Sequence, residues 1–271
     1  MSFIKSLDST TNKNNSLLCV GLDIDLSRIP NAFLNKEDPI FDFNREIILA
    51  TKDLVCAYKV NSAFYEMYGM YGLEALKQTI EYIKDQEIPV ILDAKRGDIG
   101  NTALAYAKAV FEVYKADATT VNPYMGYDSI EPFAEWSNKG TFVLCLTSNP
   151  GRGDFQTIGE GEPLYIKVAK KVNELNKNGN LGLVVGATNP AELKLIREIA
   201  LDMPILIPGI GAQGGSIEAA AKFGPNKEGM RAIINSSRSI IYASKGEDFK
   251  GAAKAEARKL KDEINKSRRA G

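Results

Sequence analysis

PVILDAKRGDIGNT, residues 89 to 102, runs as an apolar strand to a charged end and then restarts as a helix. Side chains alternate faces along a strand, so Asp93 and Lys95 are expected to point one way and Ala94 the other. An isolated acid-x-lysine at a strand end is ordinarily a surface ion pair of small consequence. Here a second acid, Asp98, follows within the same segment, and two carboxylates around one ammonium make a coupled titrating group of the kind that tunes proton donors. The segment also sets the pattern for the whole chain. Like PVILDAKR, seven other short apolar runs recur: LLCVGLD (17 to 23), LVCAYKVN (54 to 61), ATTVNPY (118 to 124), GTFVLCLT (140 to 147), LGLVVGAT (181 to 188), PILIPGIG (204 to 211) and MRAIINSS (230 to 237). Continuous Val, Ile and Leu runs of this length suit parallel strands covered on both faces.

Between these runs lie helical patterns such as TALAYAKAVFEVYK (102 to 115), LYIKVAKKVNELNK (164 to 177) and NPAELKLIREIALD (189 to 202), the last with Asn189 placed as N-cap and Pro190 at the first helical position. Eight alternations in 271 residues predict an α/β chain forming a single (β/α)8 TIM barrel over 1–271, with its core at about 17–242 and an outer helix with a frayed basic end at 245–271. A doubly wound open sheet is the alternative, and it would need a Gly-rich first turn to signal its ligand.

Composition removes several kinds of chemistry. The 34 basic and 34 acidic residues cancel, so no overall field attracts nucleic acid or an anionic membrane. There is no histidine, which excludes a histidine general base and the Ser/His and Cys/His triads. Cys19, Cys56 and Cys145 each sit within an apolar run rather than at metal-ligand spacing, and are expected to be reduced core residues. No G-x-G-x-x-G or G-x-x-x-x-G-K-[ST] stretch is present to hold a nucleotide cofactor. The start, MSFIKSLDSTTNKNNS, has no apolar stretch long enough for a signal peptide, and a cytoplasmic location is expected.

Polar and charged residues gather at the ends of the runs: Asp23, Lys59, Asn61, Asp93, Lys95, Asn122, Thr147, Ser148, Thr188, Gln213, Ser236, Ser237 and Arg238. In barrels the carboxyl ends of the strands carry the active site, so this face is the expected one. The last two units suit a phosphate. PGIGAQGGS (208 to 216) supplies glycines whose backbone N–H groups can approach an anion, and INSSRS (234 to 239) adds hydroxyls and the Arg238 guanidinium.

These residues also carry a resemblance. GLD at Asp23, YKVN at Lys59, DAKRGDI at Asp93, Lys95 and Asp98, PGIGAQGG with Gln213 and SRSI with Arg238 resemble the orotidine 5′-phosphate decarboxylase family, in its longer-chain subgroup, over about residues 17 to 242. The D-x-K-x-x-D-I segment is specific to a small superfamily, and the lysine on the preceding strand narrows it further. The resemblance implies decarboxylation of orotidine 5′-monophosphate to uridine 5′-monophosphate in pyrimidine synthesis, without metal or organic cofactor, in a homodimer. It further implies that Lys59, Asp93, Lys95 and Asp98 form a charged tetrad, with Asp98 donated across the dimer interface and Thr102 entering the same neighbouring site to meet the ribose 2′-hydroxyl. Asp23 and Lys59 would hold ribose hydroxyls. Ser148, or its neighbour Asn149, would read the pyrimidine, and Gln213 and Arg238 would grip the phosphate with Gly211 and Gly215 beside them. Asn61, two residues from Lys59 on one strand, would face the site.

Three rivals remain open at this level. A metal-assisted sugar-phosphate decarboxylase or aldolase of the same superfamily would be expected to carry an acid where Lys59 stands. A Schiff-base aldolase needs a neutral amine, which neighbouring carboxylates disfavour. A non-catalytic nucleotide-binding barrel would have no use for the charged set.

Overall fold

The computed structural model describes residues 1–210 and 216–269. Each apolar run contains a strand: β1 (Leu18–Gly21), β2 (Ala57–Asn61), β3 (Val90–Arg96), β4 (Ala118–Val121), β5 (Gly140–Leu146), β6 (Leu181–Val185), β7 (Ile205–Ile207) and β8 (Ala232–Ser236). They pair in parallel in chain order, and β8 pairs with β1, so the sheet closes. A doubly wound sheet would leave two edges open; here every strand has two neighbours, and the fold is the (β/α)8 barrel.

Alternation within the strands explains why the runs are apolar throughout. Cys19, Ala57, Ile91, Ala118, Phe142, Val184, Leu206 and Ile233 point inward and fill the barrel. Their neighbours Leu18, Val20, Tyr58, Val60, Val90, Leu92 and Ile234 point outward and pack under the helices. All three cysteines are buried and free. Burial holds each of their thiols above the ordinary range, as expected of inert core residues.

The helix Phe3–Asn14 closes the amino-terminal end of the barrel, which the expected core of about 17–242 left out. Phe3 meets Phe142 edge to face, with centroids 5.7 Å apart, and its N–H donates to Asn138 O. Gly140 makes this possible, because a Cβ there would run into the Phe3 ring. Arg231 grips the same helix through two bonds to Asp8, 2.9 Å from Nε and 2.7 Å from Nη2.

The helical expectations hold with one difference. Helices run over Leu164–Leu175 and Pro190–Ala200, and Asn189 Oδ1 caps the latter by accepting from Ala191 N. The first pattern forms a helix over Gly100–Lys108 and then widens into a π-helical turn, Ala109–Val113, whose end is marked by Tyr114 N–H bonding to Ala109 O. The carboxyl-terminal helix, Phe249–Arg269, packs on the helices Pro39–Thr51 and Ile217–Phe223 and buries Phe249, Ala253, Ala257, Leu260 and Ile264. These positions fall on one helical face, and Lys254, Arg258, Lys259 and Lys266 are left exposed.

Phe3→Ala should lower unfolding stability by about 3 to 5 kcal/mol, the usual effect of removing a buried aromatic, while turnover at the far end of the barrel is retained. Urea titration alongside a rate measurement checks both parts.

Candidate active site

The carboxyl ends of β1, β2 and β3 place four charges in a row. Lys59 stands on the inner face of β2 between two acids, with Nζ 3.4 Å from Asp23 Oδ1 and 3.2 Å from Asp93 Oδ2. Asp93 turns its other oxygen to Lys95 Nζ at 2.6 Å and accepts from Thr120 Oγ1 at 2.8 Å. Adjacent registers bring these groups together, since Asn61 on β2 lies opposite Asp93 on β3 and Lys59 lies opposite Gly21 on β1.

Asp93 and Lys95 do face the same side, but not along a regular strand. The pairing of β3 with β4 slips between Leu92 and Arg96, and Lys95 takes a left-handed conformation with φ of 46°. Thr120 on β4 supports this irregularity from both sides. Its oxygen accepts from Lys95 N at 2.9 Å while its hydroxyl donates to Asp93. A non-glycine residue held at positive φ is uncommon and is found where the surroundings over-determine it.

Burial separates the four charges. Lys59 and Asp93 are 3% and 7% exposed, whereas the Lys95 side chain is 46% exposed. Burial alone would push the Lys59 ammonium down, yet the carboxylates of Asp23 and Asp93 outweigh it and hold the group above the usual lysine range. Burial likewise acts to raise Asp93, but the Lys59 and Lys95 ammonium groups and the hydrogen bonds from Lys95 and Thr120 bring it down to about 2. The buried part of the row is thus an ion pair locked in its charged form, and Lys95 is its exposed end.

These charges form one wall of a cleft of about 540 Å³. Leu144, Val184 and Leu206 make an apolar floor, Thr147, Ser148 and Asn149 stand beyond it, and Gly209, Ser237 and Arg238 lie at the other side. The β1 end is pinned by two tyrosines, since Tyr65 OH donates to Leu22 O and Tyr242 OH donates to Asp23 O. The loop after β5 is tied down by Gln156, which accepts from Thr147 N at 2.8 Å, and by the Arg152–Glu192 ion pair. A second cleft of about 350 Å³ at the amino-terminal end holds Lys84 and Asp117, already paired at 2.8 Å, and brings no comparable row together.

Of the sequence-derived residues, the cleft collects Asp23, Lys59, Asn61, Asp93, Lys95, Ser148 and Arg238. Asn61 also caps the chain that follows, its Oδ1 accepting from Ala63 N. Asp98 and Thr102 do not line it; Asp98 Oδ1 accepts from Ile99 N, and Thr102 is exposed on the first turn of the helix Gly100–Lys108. Asn122 is a turn former, accepting from Tyr124 N, and Ser236 bonds to Ser239. Gln213, Gly211 and Gly215 lie outside the described residues. Sequence reading missed Thr120, a lone hydroxyl in the run ATTV, and Asn235, which lines the cleft. Among the described residues no three Asp, Glu or Cys side chains are grouped to hold a metal ion.

A closed barrel with paired acids and lysines at the ends of its first three strands, opening on a cleft of nucleotide size, defines an enzyme of the (β/α)8 class with its chemistry at the carboxyl-terminal face. The family model described as orotidine 5′-phosphate decarboxylase / HUMPS matches residues 16–254. An orotidine 5′-phosphate decarboxylase of Cupriavidus metallidurans is 50% identical over 99% of both chains, and one of Cellvibrio japonicus is 50% identical over 99% of this chain and all of its own. The structure of Leishmania donovani OMP decarboxylase matches with a TM-score of 0.87 at 39% identity, covering both chains completely. The chain belongs to the orotidine 5′-phosphate decarboxylase family.

The charged pair carries a pH signature. Because the Asp93 carboxyl is depressed on folding, its contribution to stability is complete above the unfolded value of about 4 and is lost as pH falls toward about 2. The stability difference between wild type and Asp93→Asn should therefore shrink as pH drops from about 4 to about 2, as measured by denaturant titrations at stepped pH.

Proposed function

We propose that this chain decarboxylates orotidine 5′-monophosphate to uridine 5′-monophosphate, as a cytoplasmic lyase of pyrimidine biosynthesis acting as a homodimer. The observation that carries the reading is Lys95, whose ammonium is bonded to the buried Asp93 on one side and open to the cleft on the other. Family membership and 50% identity to decarboxylases across the whole chain support the same reaction. Lys59 between Asp23 and Asp93, rather than an acid at that position, argues against the metal-assisted sugar-phosphate rival.

In this reading the C6–carboxylate bond breaks, its electron pair stays on C6 and carbon dioxide leaves. The resulting vinylic carbanion has no ring position to which its charge can spread, so fixed positive charge is what can lower the barrier. Lys95 stabilises that charge and then transfers a proton from Nζ to C6, giving the uridine ring. Asp93 holds the Lys95 ammonium in place. Asp23 and Lys59 hold ribose hydroxyls with Asn61 beside them, Ser148 reads the pyrimidine amide edge, and Arg238 with Gln213 grips the phosphate. Binding energy from phosphate and ribose is then available to hold the ring against Lys95.

Asp98 and Thr102 would complete the partner's site. Their position outside their own cleft supports this, as do the exposed apolar side chains of Ile99 and Leu104 on the same segment and of Met125 beside Gly97. Such a patch on a soluble barrel suits a self-complementary twofold contact.

Loss of the orotidine absorbance on mixing with the protein tests the activity directly, and a silent protein would overturn the reading. Lys95→Ala should abolish turnover while uridine monophosphate still binds by calorimetry, because the phosphate and ribose contacts remain. Near-normal turnover would remove Lys95 as the proton donor.

Shared sites make a further outcome measurable. Asp98→Asn and Lys95→Ala homodimers, each nearly inactive, should regain about a quarter of native activity after equal mixing and subunit exchange, because half of the dimers are mixed and each of those has one intact site. If mass spectrometry shows exchange and activity stays at the level of the separate variants, Asp98 acts within its own chain.

A further inference from the structure

Asn235 occupies an inward position of β8, two residues beyond Ile233, which fills the barrel interior. The residue is 5% exposed yet lines the cleft. The amide nitrogen donates to Ser237 Oγ at 3.3 Å, and among the described residues the amide oxygen has no partner. A buried acceptor without a donor is costly, and Leu144, Val184 and Leu206 show that apolar side chains suit the cleft floor. An amide at this position is offset only when something donates to it.

The space for a donor lies in the cleft, beside β1. The register partner of Asn235 is Cys19, and Gly21 follows on the same face. Gly21 has no room for a side chain: a Cβ would run into Ser237 Oγ and stand 3.2 Å from Asn235 Oδ1. The bare backbone leaves room for the Ser237 hydroxyl, and the amide opens on the cleft that Asp23 and Lys59 also line. Arg238 lies three residues further along the chain, so Asn235 stands between the phosphate grip and the ribose-holding pair Asp23 and Lys59.

We propose that Asn235 is a substrate-positioning residue whose Oδ1 accepts a hydrogen bond from a ribose hydroxyl of the bound nucleotide; this rests on the functional reading above. The substrate's phosphate and carboxylate offer acceptors at neutral pH, so its donors are the two ribose hydroxyls and the ring N3–H. The last belongs to Ser148 on the β5 side, across the barrel from β8 and β1. That leaves the hydroxyls.

The test is a cycle of kcat/KM values for wild type, Asn235→Leu and Asn235→Ala with orotidine monophosphate and its 2′-deoxy and 3′-deoxy forms. Asn235→Leu should lose about ten- to hundredfold with the full substrate, as for a neutral hydrogen bond whose partner is left unpaired. With one of the two deoxy substrates the loss should shrink to within about threefold of wild type, because the interaction is already gone. If Asn235→Leu melts early, Asn235→Ala carries the same cycle. An equal loss with both deoxy substrates would overturn the proposal and leave the amide a purely structural role. A wild-type protein inactive on orotidine monophosphate would instead overturn the functional reading, and the first measurement of the series separates the two outcomes.

Discussion

The carboxylate of Asp93 is the group on which the rest of the site depends. One oxygen meets Lys59, and the other meets Lys95 and Thr120. A buried charge is tolerated only when its partners are complete, and these three donors come from three different strands. Strands β2, β3 and β4 thus have to pair in the correct register before the partners of the acid are complete, and once they have done so Lys59 has little freedom. Preorganised charge of this kind needs no rearrangement when the reaction creates an anion beside it.

The two ends of the barrel divide the work. Below, Phe3 and Phe142 pack with the small residues Gly140 and Ala118, and Arg231 ties the first helix down through Asp8. Above, the inward positions change from Cys19, Ala57 and Ile91 to Gly21, Lys59 and Asp93 within a single alternation of each strand. The apolar layer beneath supplies the low dielectric that strengthens the ion pairs, and those pairs hold both groups charged against the same burial.

Much of this was legible in the chain. All eight runs became strands because parallel strands covered on both faces leave a continuous apolar signature that needs no context to read. Asp93 and Lys95 were found together because the D-x-K spacing survives the irregular backbone; the left-handed turn at Lys95 had no signal of its own. Thr120 was hidden because a threonine in a β-branched run is an ordinary strand former. Asn235 carried a signal that could have been taken up, an amide on the inward face of the run MRAIINSS, where Ile233 sets the apolar pattern. The role of the first helix was not legible, since its polar composition says nothing of the five residues, Phe3, Leu7, Thr10, Thr11 and Asn14, that it buries. Asn14 reaches the carbonyls of Lys52 and Val55, contacts fixed only by the finished fold.

The bond between Arg231 and Asp8 joins residues near opposite ends of the chain, and β1 finds its second neighbour only in β8. During synthesis, β1 emerges more than 200 residues before that neighbour exists. Until then its outer edge is unpaired, and the first helix has no Arg231 to hold it. Without that seam, the interior around Lys59 and Asp93 has an open side, where charge is less costly. Dehydration of that pair is reserved for the moment of closure, so the last strand to leave the ribosome is the one that turns a set of paired strands into a dry, charged interior.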